Sequence, residues 1–295
     1  MIEALRTPED RFENLPGYSF RPHYLEHANG LRMHYLDEGR VGGRTFLCLH
    51  GQPTWSYLYR RMIPAIVAAG HRVVAPDLFG FGKSDKPGED AVYTFDFHRD
   101  SLIALIRAQN LQHITLVCQD WGGLLGLTIP MKMPDRFDAL LVMNTALGTG
   151  DTPLTQGFLD WRAWNNKNPD MAIAKLMQRS CPQLSPAEAA AYEAPYPDLH
   201  YKGGVRRFPN LVPDSPDAPG ADLSRRAKDF WRNDWQGKSA MVIGMADPVL
   251  GAPVMRGLRK LIRNCPDPIE LPEGGHFVQE WSDAFITQAL ERLGS

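Results

Sequence analysis

Short, unbroken apolar runs recur along the chain: Leu31–Leu36, Thr45–Leu49, His71–Ala75, His113–Cys118, Ala139–Met143, Ala240–Met245 and Pro268–Leu271. Runs of this length, without polar alternation, are the pattern of strands buried on both faces. Between them the apolar positions move to helical spacing. Trp55–Ala69 carries Leu58, Met62, Ile66 and Ala69 on one face, and Phe95–Gln109 carries Leu102, Leu105 and Ile106. Gly122–Met133, Pro253–Ile262 and Val278–Leu293 keep the same period. Strand and helix taking turns in this way predicts an α/β fold, a mostly parallel sheet covered by helices on both sides.

One stretch breaks the alternation. From Gly148 to Asp222 no strand pattern is visible, and ten of the chain's 24 prolines crowd there. Only short helical stretches remain, at Phe158–Asn165, Met171–Arg179 and Pro186–Tyr192. This predicts a helical cap at 148–222 inserted into a core built from 1–147 and 223–295. An insertion at the carboxyl edge of the strands lies over the crevice where such sheets bind ligands.

Composition narrows the classes. Hydrophobic residues make up 43% of 295 residues and charged residues 22%, which excludes a disordered, collagenous or coiled-coil chain. Thirty-two Lys and Arg against 34 Asp and Glu leave a formal charge of −2, so no basic field is expected to hold nucleic acid or a membrane. Cys48, Cys118, Cys181 and Cys265 form no C-x-x-C pair and read as buried free thiols. With no secretory-type segment before Gly17 and no 18-residue apolar stretch, a cytoplasmic monomer is expected.

Two motifs fail on inspection. His23-Tyr-Leu-Glu26-His27 spells H-x-x-E-H, but that zinc signature needs a helix, and Tyr18–Glu26 alternates like a strand. At about 3.3 Å per residue the two imidazoles lie roughly 13 Å apart, too far to share an ion. Gly82-Lys83-Ser84 resembles the tail of a phosphate loop, yet Asp77 stands where its leading glycine belongs. A glycine-rich turn after a strand is the better reading.

A third constellation survives. The run His113–Cys118 leads into Gln119-Asp120-Trp121-Gly122-Gly123 and then a helix, the strand–turn–helix of a nucleophile elbow. Its central residue is an acid, and Cys118 replaces the first glycine. Taken alone, Asp120 could equally cap the helix. Two other segments favour the elbow. Thr45–Leu49 ends in His50-Gly51-Gln52-Pro53, where such folds place a second oxyanion-hole amide, and Gly274-Gly275-His276-Phe277 puts a histidine on a flexible loop. Between them Asp247 follows the Ala240–Met245 run. The order nucleophile, acid, histidine at 120, 247 and 276 is that of the α/β-hydrolases.

On these residues the chain resembles the haloalkane dehalogenases over nearly its whole length. The likeness is carried by His50–Arg60, Asp77–Pro87, Gln119–Gly123 and Gly275–Glu280, with Ala194–Asp198 and Phe230–Trp235 matching as well. It is strongest to the subfamily typified by the dichloroethane-degrading enzyme, in which two tryptophans hold the halide. The resemblance implies Trp121 for one and Trp161 for the other, with Trp164 as the alternative. It also implies Asp247 as the triad acid, since some relatives place that acid where this chain has Asn144, and it suggests Phe158 and Val249 for the pocket wall.

The chemistry suits the residue types. With a reference pKa of about 3.9, a carboxylate is a ready nucleophile toward saturated carbon and leaves an ester. His276 would then draw a proton from water, held in its tautomer by Asp247. Backbone amides of Gln52 and Trp121 would meet the oxyanion. The expected substrate is a small apolar haloalkane, the products a primary alcohol, halide and a proton, and neither metal nor cofactor is expected. Two alternatives share the fold: an epoxide hydrolase drawing on the lid tyrosines Tyr192, Tyr196 and Tyr201, and a non-enzymatic binding protein.

Overall fold

The computed structural model describes residues 2–294. At its centre are eight strands: β1 (His23–Glu26), β2 (Arg32–Glu38), β3 (Thr45–Leu49), β4 (Arg72–Pro76), β5 (Ile114–Cys118), β6 (Phe137–Met143), β7 (Lys238–Gly244) and β8 (Ile269–Leu271). In space they run β8-β7-β6-β5-β3-β4-β2-β1. β3 to β8 are mutually parallel, and β2 alone runs against the others, antiparallel to both of its neighbours, β1 and β4. Every residue of β3 and β5 is buried, as their unbroken apolar runs require.

The described residues also form ten α-helices: α1 (Met62–Ala68), α2 (Phe95–Ala108), α3 (Trp121–Gly126), α4 (Gln156–Lys167), α5 (Ile173–Ser180), α6 (Pro186–Glu193), α7 (Gly203–Arg207), α8 (Ala221–Asn233), α9 (Ala252–Arg259) and α10 (Ile286–Leu293). Three expected helices are shorter than their periodicity suggested. The Trp55–Ala69 stretch divides into a 3-10 turn at Ser56–Tyr59 and α1, because the ring of Pro64 would clash with the carbonyl of residue 60 in a continuous helix. Pro130 ends the α3 segment in the same way. The Val278–Leu293 stretch breaks at Trp281, whose φ of −109° and ψ of 21° are not helical. His23–Glu26 is a strand, as its alternation predicted, and all four cysteines are buried and unpaired.

Register decides what the sheet presents. Leu49 of β3 lies beside Cys118 of β5, and Cys118 beside Val142 of β6. The loops at 50–52, 119–120 and 144–145 therefore emerge side by side. This is also where the strand order reverses, the crevice of a doubly wound sheet.

The segment between β6 and α8 carries short helices joined by loops and, among the described residues, no strand, with α4 capped by Thr155 and α6 by the reciprocal Ser185–Glu188 box. A buried charge cluster ties it to the sheet. Arg60 reaches Glu280 at 2.5 Å and Glu188 of α6 at 3.0 Å, and the Tyr192 hydroxyl donates to Glu280. α8 belongs to the other layer: the indole of Trp231 donates to the carbonyl of Leu127 at 2.8 Å.

Candidate active site

Asp120 occupies the turn between β5 and α3 with φ 50° and ψ −126°. A left-handed φ at a residue other than glycine costs roughly 1–3 kcal/mol and persists only where its surroundings enforce it. Here they do. A Cβ at Gly122 would lie 2.0 Å from the Leu49 carbonyl oxygen, and one at Gly51 would lie 2.1 Å from Oδ1 of Asp120 itself. The turn closes only because those side chains are missing. Asp120 does stand before α3, but its carboxylate makes no capping bond to that helix. The carboxylate points instead into a crevice, where Oδ1 accepts the Gln52 N–H at 2.8 Å. Trp121 holds the first position of α3, where a backbone N–H has no acceptor within its helix.

Across from Asp120 stands His276. Its Nε2 lies 3.5 Å from Oδ2 of Asp120, and its Nδ1 lies 2.8 Å from Oδ2 of Asp247. Asp247 is 6% exposed and fully engaged. Its Oδ1 accepts the Val249 N–H at 2.8 Å and its Oδ2 the side-chain amide of Asn144 at 2.9 Å. Burial alone would push that carboxyl up, yet His276, Asn144 and the Val249 N–H together bring it down to about 2. Burial likewise pushes the His276 imidazole down, but Asp247 and then Asp120 outweigh it and raise it to about 10. Burial also pushes the thiols of Cys48 and Cys118 up, so the cysteines flanking the elbow are no rival nucleophiles.

These groups border a cavity of about 630 Å³. Gln52, Asp120, Trp121, Phe158, Trp161, Asp247, Val249 and His276, all expected from the sequence, line it together. Leu124, Leu147 and Leu176 add apolar wall. Trp164, the alternative to Trp161, does not line it; its ring stacks on Trp161 at 5.4 Å and is 37% exposed. Among the described residues neither the Trp121 nor the Trp161 indole N–H donates to a protein acceptor. The three tyrosines that an epoxide-opening site would need are elsewhere. Tyr192 bonds Glu280, Tyr196 bonds the Pro53 carbonyl at 3.2 Å, and neither these nor Tyr201 lines the cavity.

Two functional neighbours escaped sequence reasoning. Asn144 is the clamp on Asp247 and also bonds the backbone of Gly244 from both ends of its amide. Gln119 places its amide nitrogen 3.0 Å from His276 Nε2. Neither could be read locally, because their partners lie 100 residues or more away.

A family profile of the α/β hydrolase fold matches residues 44–283. A haloalkane dehalogenase of Psychrobacter cryohalolentis is 42% identical over 288 residues, spanning 95% of this chain and 94% of its own. One of Mycobacterium marinum is 40% identical over 298 residues, 98% of this chain and 99% of its own. This chain belongs to the haloalkane dehalogenases. Among solved structures, the tetrameric haloalkane dehalogenase DpaA from Paraglaciecola agarilytica superposes with a TM-score of 0.96 at 51% identity, covering 98% of each chain. The dehalogenase DatA from Agrobacterium tumefaciens, at 23% identity and a TM-score of 0.77 over 97% of this chain and 99% of its own, shares the fold. The present dehalogenase is thus a hydrolase of carbon–halide bonds, as the resemblance of its motifs implied.

Proposed function

We propose that Asp120, His276 and Asp247 carry out the dehalogenation as nucleophile, base and orienting acid. An Asp120 oxygen attacks the halogen-bearing carbon in line. The carbon–halogen bond breaks, halide leaves with the electron pair, and an alkyl ester remains on Asp120. Water then attacks the carbonyl carbon of that ester while His276 Nε2 takes its proton. The backbone N–H groups of Gln52 and Trp121 bear the developing oxyanion. Collapse releases the alcohol and regenerates the carboxylate, and the proton on His276 passes to solvent.

The observation that carries this reading is the pose of Asp120: one oxygen on the Gln52 N–H at 2.8 Å, the other 3.5 Å from His276, in an apolar cavity. Electrostatics also times the two steps. Of the two carboxylates that raise the His276 pKa, one is Asp120, and esterification removes its charge. The His276 pKa therefore falls when the ester is present, which favours the base form for the second step. Departing halide is held by the indole N–H groups of Trp121 and Trp161, donors that bring no competing acceptor. Each such bond to an anion is worth about 1.5–3 kcal/mol.

Residues 148–222 serve as the lid over this cavity, on a core of 1–147 and 223–295. Four buried free thiols support a reducing, cytoplasmic setting. For assembly, the tetramer described for the 51% identical Paraglaciecola protein supports a tetramer over the monomer expected from the sequence; light scattering would read about four chain masses.

Halide release with acidification on adding 1-bromobutane, without diol formation from styrene oxide, is the expected outcome; diol formation alone would replace this reading by epoxide opening. With His276→Phe, alkylation should proceed and hydrolysis stop. Intact mass should then show an adduct of one butyl group, and an unmodified mass after long incubation would remove the covalent step.

A further inference from the structure

Gln119 is fully buried beneath His276, and its amide nitrogen makes two contacts there: 3.1 Å to the His276 backbone oxygen and 3.0 Å to ring Nε2. A carbonyl oxygen can only accept, so the amide must turn its NH₂ group toward it. The second hydrogen of that NH₂ then faces Nε2, which must offer a lone pair. At the opposite edge of the ring, Nδ1 lies against Asp247, whose other acceptor positions are filled by Asn144 and the Val249 N–H. The Nδ1 edge keeps a proton facing Asp247 in either charge state, so it is the Gln119 NH₂ at Nε2 that asks for the neutral ring with its proton on Nδ1. The arrangement has a cost: Oε1 of Gln119 is buried with no donor among the described residues. A glutamine kept for general packing would not leave its oxygen so placed.

We infer that Gln119 is a positioning residue that holds the His276 imidazole as a neutral base, its Nε2 lone pair in place for the water proton. The inference rests on the mechanism proposed above and adds a counterweight to it. The charged groups that face the ring are Asp247 at Nδ1 and Asp120 beyond Nε2, and both favour the imidazolium. From the lid, Arg179 lines the same cavity without an ion pair among the described residues. Asn144 and Phe277 touch the assembly without titrating. Gln119 alone bonds the neutral ring at Nε2. When Nε2 takes the proton from water, the Gln119 hydrogen and the new N–H point at one another. The imidazolium is therefore short-lived, its N–H left with Asp120 Oδ2 at 3.5 Å as acceptor once the ester is cleaved.

The test is a titration. Histidine ring ¹⁵N signals are followed against pH in the wild type and in Gln119→Met, which keeps length and loses the donor; the His276 signal is assigned by its loss in His276→Phe. A neutral hydrogen bond removed from one protonation state should raise the His276 pKa by about half to one unit. The rising limb of kcat against pH should move upward with it, while the burst of halide release from 1-bromobutane keeps its rate. If Gln119→Met does not fold, Gln119→Asn, one methylene shorter, gives the same upward shift. An unmoved or lowered pKa in either folded variant overturns the inference. Because the titration needs no turnover, it reads the contact even if the covalent mechanism fails, and an absent burst in the wild type would count against that mechanism alone.

Discussion

Among the described residues, two aspartate–histidine pairs with a buried aspartate have nearly equal geometry, and only one of them faces a cavity. Asp247 and His276 meet at 2.8 Å, Asp77 and His34 at 2.7 Å. Both aspartates are driven low, against the upward push of burial, by the histidine beside them and by further donors, and both reach about 2. What differs is the far side of each ring. His276 Nε2 looks across a crevice at Asp120, whereas His34 Nε2 is sealed in the interior without a partner. Asp77 gives its remaining lone pairs to the backbone N–H groups of Ser56 and Lys83, pinning the turn after β4 to the turn after β3. One pair borders the cavity where we propose the chemistry occurs, and the other rivets two turns together. A carboxylate beside an imidazole becomes chemistry only when the second ring nitrogen is left something to act upon.

Exchanging each aspartate for asparagine should separate the two most sharply. Asp247→Asn keeps the shape but favours the wrong tautomer of His276, so ester hydrolysis should slow by about 10⁴-fold in single-turnover assays with the fold retained. Asp77→Asn should do the reverse. Breaking a buried pair costs about 3–5 kcal/mol, to be read by urea denaturation, while kcat of the folded enzyme stays within a few-fold of wild type. A large loss of kcat with unchanged stability in Asp77→Asn would erase the distinction.

A smaller effect tests the cavity that surrounds the first pair. Trp161→Phe should slow carbon–halogen cleavage about tenfold to a hundredfold and weaken halide binding, read by fluorescence quenching. Trp164→Phe, on the outer side of the stack, should leave both unchanged. Equal losses from the two variants would mean that the lid acts through packing and not through a donor.

The mildest contrast lies in the pH dependence of stability. The folded pKa of His276 is raised to about 10 from 6.5, so its contribution is complete below about 6.5 and fades as pH climbs through 10. The stability gap between wild type and His276→Phe should narrow over that alkaline window. The folded pKa of Asp77 is lowered to about 2 from 3.8, so its contribution is present above 3.8 and fades as pH falls toward 2. The gap to Asp77→Asn should therefore narrow only in acid. A gap to His276→Phe that stayed constant from pH 6.5 to 10 would separate the ring from both carboxylates.

The same contrast explains what could be read from the chain beforehand. Continuous burial made the strands visible, because a run such as Ile114–Cys118 has no polar position to blur it. Asp120, Asp247 and His276 stood out because each follows such a run at one edge of the sheet. The lid tryptophan came from likeness, which put Trp161 ahead of Trp164; Trp161 lines the cavity, and Trp164 is 37% exposed outside it. Asp77 was noticed as a misfit in a phosphate-loop pattern and as part of a matching motif, and nothing near it announces His34, 43 residues earlier. Asn144 and Gln119 were unreadable for a related reason: an amide has no preferred chemistry until its partners are known, and theirs arrive from distant loops. Helix ends were misjudged where a proline or the non-helical backbone at Trp281 interrupted the periodicity.

The elbow at Asp120 has a consequence for how this scaffold can change its trade. Its backbone is bent by what is missing at Gly51 and Gly122, so almost any side chain carried at the apex would be delivered to the same spot. Evolution or an engineer can swap the reagent at a stroke, hydroxyl for carboxylate, without redrawing the hinge that offers it. The two glycines enjoy no such liberty: a side chain at Gly122 would strike the Leu49 carbonyl, and one at Gly51 would strike whatever the apex carries.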